Sequence, residues 1–528
     1  MRNASSFPSR TRPTSVLAAT RISTRFLLTR GAGTQGWYPC VSTEGPVRVG
    51  VAGWRTLGAM GRPFTAPRPS VYPDVPAPVR ARAAATMDLP PGPRGLPGAI
   101  LPRFLVDLPG FLLGLHREYG DAASFFLMGE LFVAVFTPEA VVDVTVREQH
   151  AFIKGVGFDR MRKVLGTGLL TNEEPIHLRH RRMMQPPFHH EQLDRFAASM
   201  QEVVVDHIRR WPVGERISAN EAMMHLTFQI VAQLLFSTDI DRYADGVRRH
   251  MGVAIDRIER TMLPGLERFD DLPLPYFRAF ARSADHLAAV ADDIIASRLR
   301  SGDRGTDLLG LLLAARDDED RPMSEDEVRD ETLTLILSGH ETTANVLTWA
   351  LAYLRDRDDL WSALAAEAER ALPPGERPTL RRVMESPVAG AILAEALRLA
   401  PPVWVAPRRA LRDVVVGGIP IPEGAHVLVS QFATHRSPVH FADPDAFRPE
   451  RWMDGLEDRL PRGAYFPFGA GTRKCLGDQF ALLEGRIALL EMARSTRLVP
   501  VRSGIPCARP RATYRPAGPV TSFVRSAS

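Results

Sequence analysis

From about residue 104 onward the chain is a succession of amphipathic segments separated by Pro/Gly breaks, which predicts a mainly helical body. Two short β-branched runs interrupt it. "LFVAVF" (131–136) and "HVLVSQF" (426–432) read as strands, so the sheet component is small. The longest unbroken helical pattern is "SEDEVRDETLTLILSGHETTANVLTWALAYL". It opens with Ser324 and Glu327 at capping-box spacing and continues through Leu354 without proline, predicting one long central helix. Gly339 lies inside it at a cost of about 1 kcal/mol relative to alanine, and Thr342 and Thr343 are mediocre helix formers. Together they predict a locally opened turn at Ser338–Thr342, in which a hydroxyl and a carboxylate face a ligand. A further helix runs through "QFALLEGRIALLEMA", directly after "FPFGAGTRKCLGDQFA" (466–481).

Residues 1–86 break the pattern. They are rich in Arg, Ser, Pro and Gly, without helical or strand periodicity, and a disordered extension is expected. Twelve arginines oppose only Glu44 and Asp74, giving this stretch +10, so the rest of a chain of net +5 carries −5. The high pI therefore belongs to the extension and does not mark the body as nucleic-acid-binding. Such a stretch reads either as an Arg-rich transit segment or as sequence upstream of a later start. The second reading is preferred, because Met87 opens the Pro/Gly-rich entry "MDLPPGPRGLPGA" to a folded body over 87–528.

With 45% hydrophobic residues the body can bury a large core. No run reaches the ~20 apolar residues that cross a bilayer; the most apolar early run, Phe104 to Leu115, is cut by Asp107, Pro109 and Gly110. Cys40, Cys475 and Cys507 are odd in number and far apart, which suits a reducing, cytoplasmic setting better than a disulfide framework.

The setting of Cys475 is distinctive. Gly469, Gly471 and Gly477 bracket it where bulky side chains would obstruct a tight turn or the approach of a flat partner. The amides of Leu476 and Gly477, at a helix start, can donate to a thiolate, and Arg473 and Lys474 add positive potential. A lone thiolate so held is a good axial ligand to iron. Taken alone, though, such a cysteine is more often a small buried residue in a turn.

Phe468, Gly471, Arg473, Cys475 and Gly477 together resemble the haem-binding signature F-x-x-G-x-R-x-C-x-G of the cytochrome P-450 family. The resemblance implies that Cys475 is the proximal iron ligand of haem b, that Phe468 packs by the sulfur and that Arg473 meets a propionate. "SGHETT" resembles the family's A-G-x-[ED]-T-T, with Ser338 in place of alanine, and Glu341 and Thr342 then match the acid–alcohol pair that relays protons during oxygen activation. Glu395 and Arg398 in "AEALRLAPP" match E-x-x-R, and Arg451 of "FRPERW" completes a structural triad. His177 and Arg181, one helical turn apart in "HLRHRRMMQPPF", resemble the helix that grips the propionates, with His177 in place of a common tryptophan. Arg408 matches a further propionate-binding arginine, its neighbour Arg409 leaving the register open by one residue. The resemblance spans nearly all of 88–528 in motif order.

The implied fold is the family's single triangular, mainly α domain with a small β region. The implied activity is that of a haem-thiolate monooxygenase inserting one atom of O₂ into a C–H or C=C bond. The alternatives are a peroxide-driven or non-oxidative haem-thiolate enzyme, which can dispense with Glu341 and Thr342, and a haem-based sensor or carrier. The chain ends 53 residues after Cys475, so electrons are expected from a separate ferredoxin or flavodoxin with its reductase. Arg473, Lys474, Arg179 and Arg182 would form the basic docking patch. "PPVWVAPRRA" is expected to run beside the haem, with Val403, Trp404, Val405 and Ala406 lining a cavity also reached by Leu337, Ala344 and Val520. None is charged, which implies a lipophilic substrate, terpenoids including carotenoids first and fatty acids second.

Overall fold

Apolar positions at three- and four-residue spacing bury against one another, and the helices they form carry most of the fold. The computed structural model describes residues 76–80, 87–93 and 100–526, apart from 156, 237–242, 244–245, 248, 255–274, 303–304, 306 and 502–503. Most of the 1–86 stretch thus lies outside the described residues. Within it, residues 76–80 lie on the sheet, where the Leu131 amide donates to the Val79 carbonyl at 2.9 Å and Arg80 reaches Glu130 at 3.4 Å.

Helix α1 (Leu108–Tyr119) is capped by Asp107, whose carboxylate accepts from the Gly110 amide at 3.0 Å. A tight turn at Met128 and Gly129, both with positive φ, joins β1 (Ala122–Leu127) to β2 (Glu130–Val135). β3 (Phe152–Lys154) follows, then α2 (Ile176–Met184), α3 (His190–Arg209), α4 (Ala219–Phe236) and α5 (Pro275–Ser301). The long helix α6 (Glu325–Tyr353) starts at the expected capping box: the Ser324 hydroxyl accepts from the Glu327 amide and the Glu327 carboxylate from the Ser324 amide, at 3.2 and 2.8 Å. Then come α7 (Asp358–Ala371), α8 (Pro387–Leu399), β4 (Ala406–Ala410), β5 (His426–Val429) and α9 (Asp478–Ser495). A β-rich end follows, with β6 (Thr496–Pro500), the hairpin β7 (Ala508–Pro510) and β8 (Tyr514–Pro516), and β9 (Thr521–Ser526).

The main sheet has the order β1-β2-β5-β4-β3, and only the β2–β5 pairing is parallel. Its last pairing sets Lys154 opposite Arg408. The largest apolar core gathers α3, α4, α6, α8 and α9, while two smaller cores lie on the faces of the sheet. α6 is continuous through Ser338–Thr342, so the expected opened turn does not form. Gly339 serves packing instead: a Cβ there would come within 2.9 Å of Val231 on α4, and the glycine lets the two helices close up. No helix among the described residues is long and apolar enough to cross a membrane. Cys507 is disulfide-bonded, contrary to the expectation of unpaired thiols.

Candidate active site

A cavity of about 360 Å³ opens between α6, the cysteine turn, α2 and the β3–β4 edge of the sheet. The turn is built by glycine. Gly469 and Gly471 take φ of 71° and 69°, and a Cβ on Gly471 would fall 1.8 Å from the Thr145 carbonyl oxygen. The Cys475 amide donates to the Phe468 carbonyl at 2.8 Å, which fixes the side chain just before α9. Its sulfur is surrounded by protein and exposed into the cavity. Burial pushes the thiol up, against the Gly477 amide, Arg181 and Lys474, which favour the thiolate. A coordinating metal deprotonates such a thiol outright.

The cavity is also cationic. Arg473 pairs with the buried Glu173 at 2.5 Å. The Lys154 amine donates to the carbonyls of Leu169, at 2.9 Å, and Asn172. Burial pushes it down to about 7, opposed by Glu173 and assisted by Arg473 and Arg408. Arg408 is lowered to about 9 by burial and by Arg473. The only hydrogen bond from its guanidinium among the described residues goes to the Pro407 carbonyl, at 2.9 Å. Arg181 donates to the Lys474 carbonyl at 2.6 Å, and His177 meets Glu174 at 3.2 Å. Burial and the neighbouring cations Lys154, Arg473 and Arg181 hold His177 down at about 3, hence neutral.

One cavity thus gathers Cys475, Phe468, Arg473, Gly477, His177, Arg181, Arg408 and Thr342. Strand alternation separates the two arginines: Arg408 lines the cavity, and Arg409 turns away to the Pro76 carbonyl. Lys154 and Glu173 escaped sequence reasoning. The available signal was rarity, since lysine occurs only at 154, 163 and 474 and two of the three line this cavity.

Other expectations change. Glu341 does not line the cavity beside Thr342: its carboxylate accepts from the Thr513 hydroxyl at 2.6 Å and lies 3.7 Å from Arg515. Adjacent helical residues point about 100° apart, so one of the pair faces the cavity and the other the β7–β8 hairpin. Val403, Val405 and Ala406 line the cavity, but Trp404 is buried in a core, its indole N–H donating to the Arg511 carbonyl at 2.9 Å. Leu337, Ala344 and Val520 belong to the main core, and α6 presents Leu335, Ser338, Gly339, Thr342, Thr343 and Val346 instead. The basic docking patch is neutralised. Arg179 bonds Asp317 and Glu327 at 2.7 and 2.8 Å, Arg182 bonds Asp318 at 2.7 Å, and Lys474 pairs with Asp478 at 2.5 Å.

The sequence model of the cytochrome P450 family matches residues 90–507. The chain belongs to this family. Among curated P450 relatives it is 33% identical to cyclooctatin synthase of Streptomyces melanosporofaciens, over 78% of this chain and 90% of the relative. It is also 33% identical to cyclooctat-9-en-7-ol 5-monooxygenase of the same organism, over 76% and 85%. Pentalenene oxygenase of Streptomyces avermitilis is 30% identical, over 68% and 80%. Among solved structures, the heme domain of cytochrome P450DA superposes with a TM-score of 0.73 at 25% identity, covering 83% of this chain and 97% of that one. The fold is the P450 fold, and the protein is an oxygen-incorporating oxidoreductase with haem b as cofactor. P450 monooxygenases act with O₂ on lipophilic substrates and take electrons from redox partners.

The residues present fit a haem. A thiol opens into the cavity, and Lys154, Arg181, Arg408 and Arg473 outnumber Glu173 and Glu174, an imbalance that two propionates would offset. When bound, haem supplies iron-centred activation of O₂.

Proposed function

We propose that this P450 is a monooxygenase that hydroxylates a terpenoid, using electrons from a separate ferredoxin or flavodoxin with its reductase. Cys475 holds the iron through its thiolate, with Phe468 and Gly477 shaping the space around the sulfur. Arg181, Arg408 and Arg473, with neutral His177 as a hydrogen-bond donor, hold the propionates. Thr342 holds and passes a proton at its Oγ1 on the cavity face of α6, with Glu341 as the neighbouring acid on the hairpin side. The observation that carries the substrate reading is the substrate-side wall. Leu170, Leu335, Val346, Val403 and Val405 are apolar, and the lining cations are those assigned above to the propionates. Such a wall gains about 25 cal/mol per Å² of apolar surface buried and leaves a carboxylate without a counter-ion. The names of the cyclooctatin and pentalenene enzymes, all of them relatives at 30% identity or more, favour terpenoids over fatty acids.

Spin-state titration and turnover of the haem-loaded protein with a sesquiterpene, a diterpene, a carotenoid and a long-chain fatty acid test this. A terpenoid should shift the iron and yield a mono-oxygenated product, and Thr342→Ala should lower product per electron donor consumed several-fold. Turnover confined to the fatty acid, or to small charged compounds, would sink the reading.

A further inference from the structure

Ser338 and Thr342 lie one turn apart on α6, and both line the cavity. Ser338 is exposed there although Glu331–Leu337 just before it are buried. Its own proton is committed within the helix, because the Ser338 hydroxyl donates to the Thr334 carbonyl at 2.7 Å. The Thr342 hydroxyl is committed likewise, donating to the Ser338 carbonyl at 2.8 Å. A hydroxyl carries one donor and two acceptor lone pairs. What Ser338 presents to the cavity is therefore acceptor capacity.

Much of the cavity wall is carbon, Leu335, Val346, Val403 and Val405 among it, and the cavity's strong donors stand on α2, β3, β4 and the cysteine turn. A hydrocarbon pressed against this wall strips water from the Ser338 oxygen and gives nothing back. A ligand hydroxyl would donate to it. We infer that Ser338 accepts a hydrogen bond from a hydroxyl the substrate already carries, so that the substrate is a terpenoid alcohol. This rests on the terpenoid reading above and deepens it. It also places the reaction: an earlier step that installs a hydroxyl supplies the substrate, and the product carries at least two oxygens.

The test is a cycle of ligand and side-chain deletions read as spin-state affinity of the haem-loaded protein, not as turnover. The ligands are cedrane, cedrol and cedryl methyl ether, with a matching diterpene hydrocarbon, alcohol and methyl ether. The ethers keep an acceptor but cannot donate. Ser338→Ala should weaken the alcohol about fivefold and leave hydrocarbon and ether within about twofold, the size of one neutral hydrogen bond. Ser338→Thr, which keeps the acceptor, should retain most of the alcohol's affinity. If Ser338→Ala shifts all three ligands of a binding skeleton equally, or leaves the alcohol unchanged, the anchor is refuted and the terpenoid reading stands. If no terpenoid of either skeleton shifts the iron while a fatty acid does, the terpenoid reading falls and the anchor with it.

Discussion

Two buried charged centres flank the haem cavity, and they are finished to different degrees. At the Glu395 centre every polar atom is matched. The carboxylate accepts from Arg398 Nε and Nη2 at 2.8 Å each, from the Trp452 indole at 2.8 Å and from the Arg448 amide at 2.9 Å, with Arg451 at 3.2 Å. The rest of the Arg398 guanidinium donates to the carbonyls of His435, Pro444 and Ala446. At the Lys154–Arg408–Arg473 centre the cations outnumber the carboxylates, and burial with mutual repulsion pushes Lys154 and Arg408 down. A saturated buried network has nothing left to bind and fixes the fold. An under-compensated one is held in readiness for a ligand of the missing charge.

The comparison breaks most visibly at Glu395. Glu395→Ala leaves Arg398 buried without its partner, and chemical denaturation should show about 3–5 kcal/mol of lost stability in the apo and haem-loaded protein alike. A loss seen only with haem bound would make Glu395 a cofactor residue and erase the contrast. Arg408→Met should do the reverse. Haem transfer to an acceptor globin should report about tenfold weaker retention, while the apo melting temperature stays level or rises because a repelled buried charge is gone. An apo melting temperature that falls with haem retention intact would show Arg408 to be structural.

The smallest effect sharpens the link between the two kinds of centre. α2, which carries His177 and Arg181, is docked on α6 by His180, whose ring nitrogens meet Glu327 at 3.0 Å and Glu331 at 2.6 Å. Burial opposes its charge, but the hydrogen bonds to both carboxylates carry it up to about 9. A folded-state value above the unfolded one stabilises fully below about 6.5 and fades as pH rises through about 9. His180→Gln should therefore cost about 1–2 kcal/mol at pH 6 and distinctly less at pH 9.5. A destabilisation that is flat across this range would mean that His180 is neutral in the fold.

The chemistry of the site was legible wherever it is written over a few consecutive residues. The cysteine turn could be read because backbone closure at Gly469 and Gly471 is local, and the start of α6 because the Ser324–Glu327 cap is local too. Lys154 was not legible: nothing within β3 marks it, and only the pairing with β4, some 250 residues later in the chain, sets it opposite Arg408. The same holds for the basic patch. Arg179 and Arg182 read as open docking cations until Asp317 and Glu327 reach the first and Asp318, in an exposed pair, the second.

By itself, then, the sequence determined a mainly helical body, a long central helix and a tight glycine turn around Cys475, because each is dictated by periodicity, capping or turn chemistry within a few residues; the iron-ligand reading of Cys475 and the E-x-x-R pair came from the family resemblance. Tertiary structure decided the rest. It chose Arg408 over Arg409 and turned Glu341 away from Thr342 towards Thr513, and it used Gly339 to bring α4 close instead of opening α6. Each of these turns on which distant surface arrives opposite a side chain, and that is fixed by the packing of the whole core, not by the residues on either side.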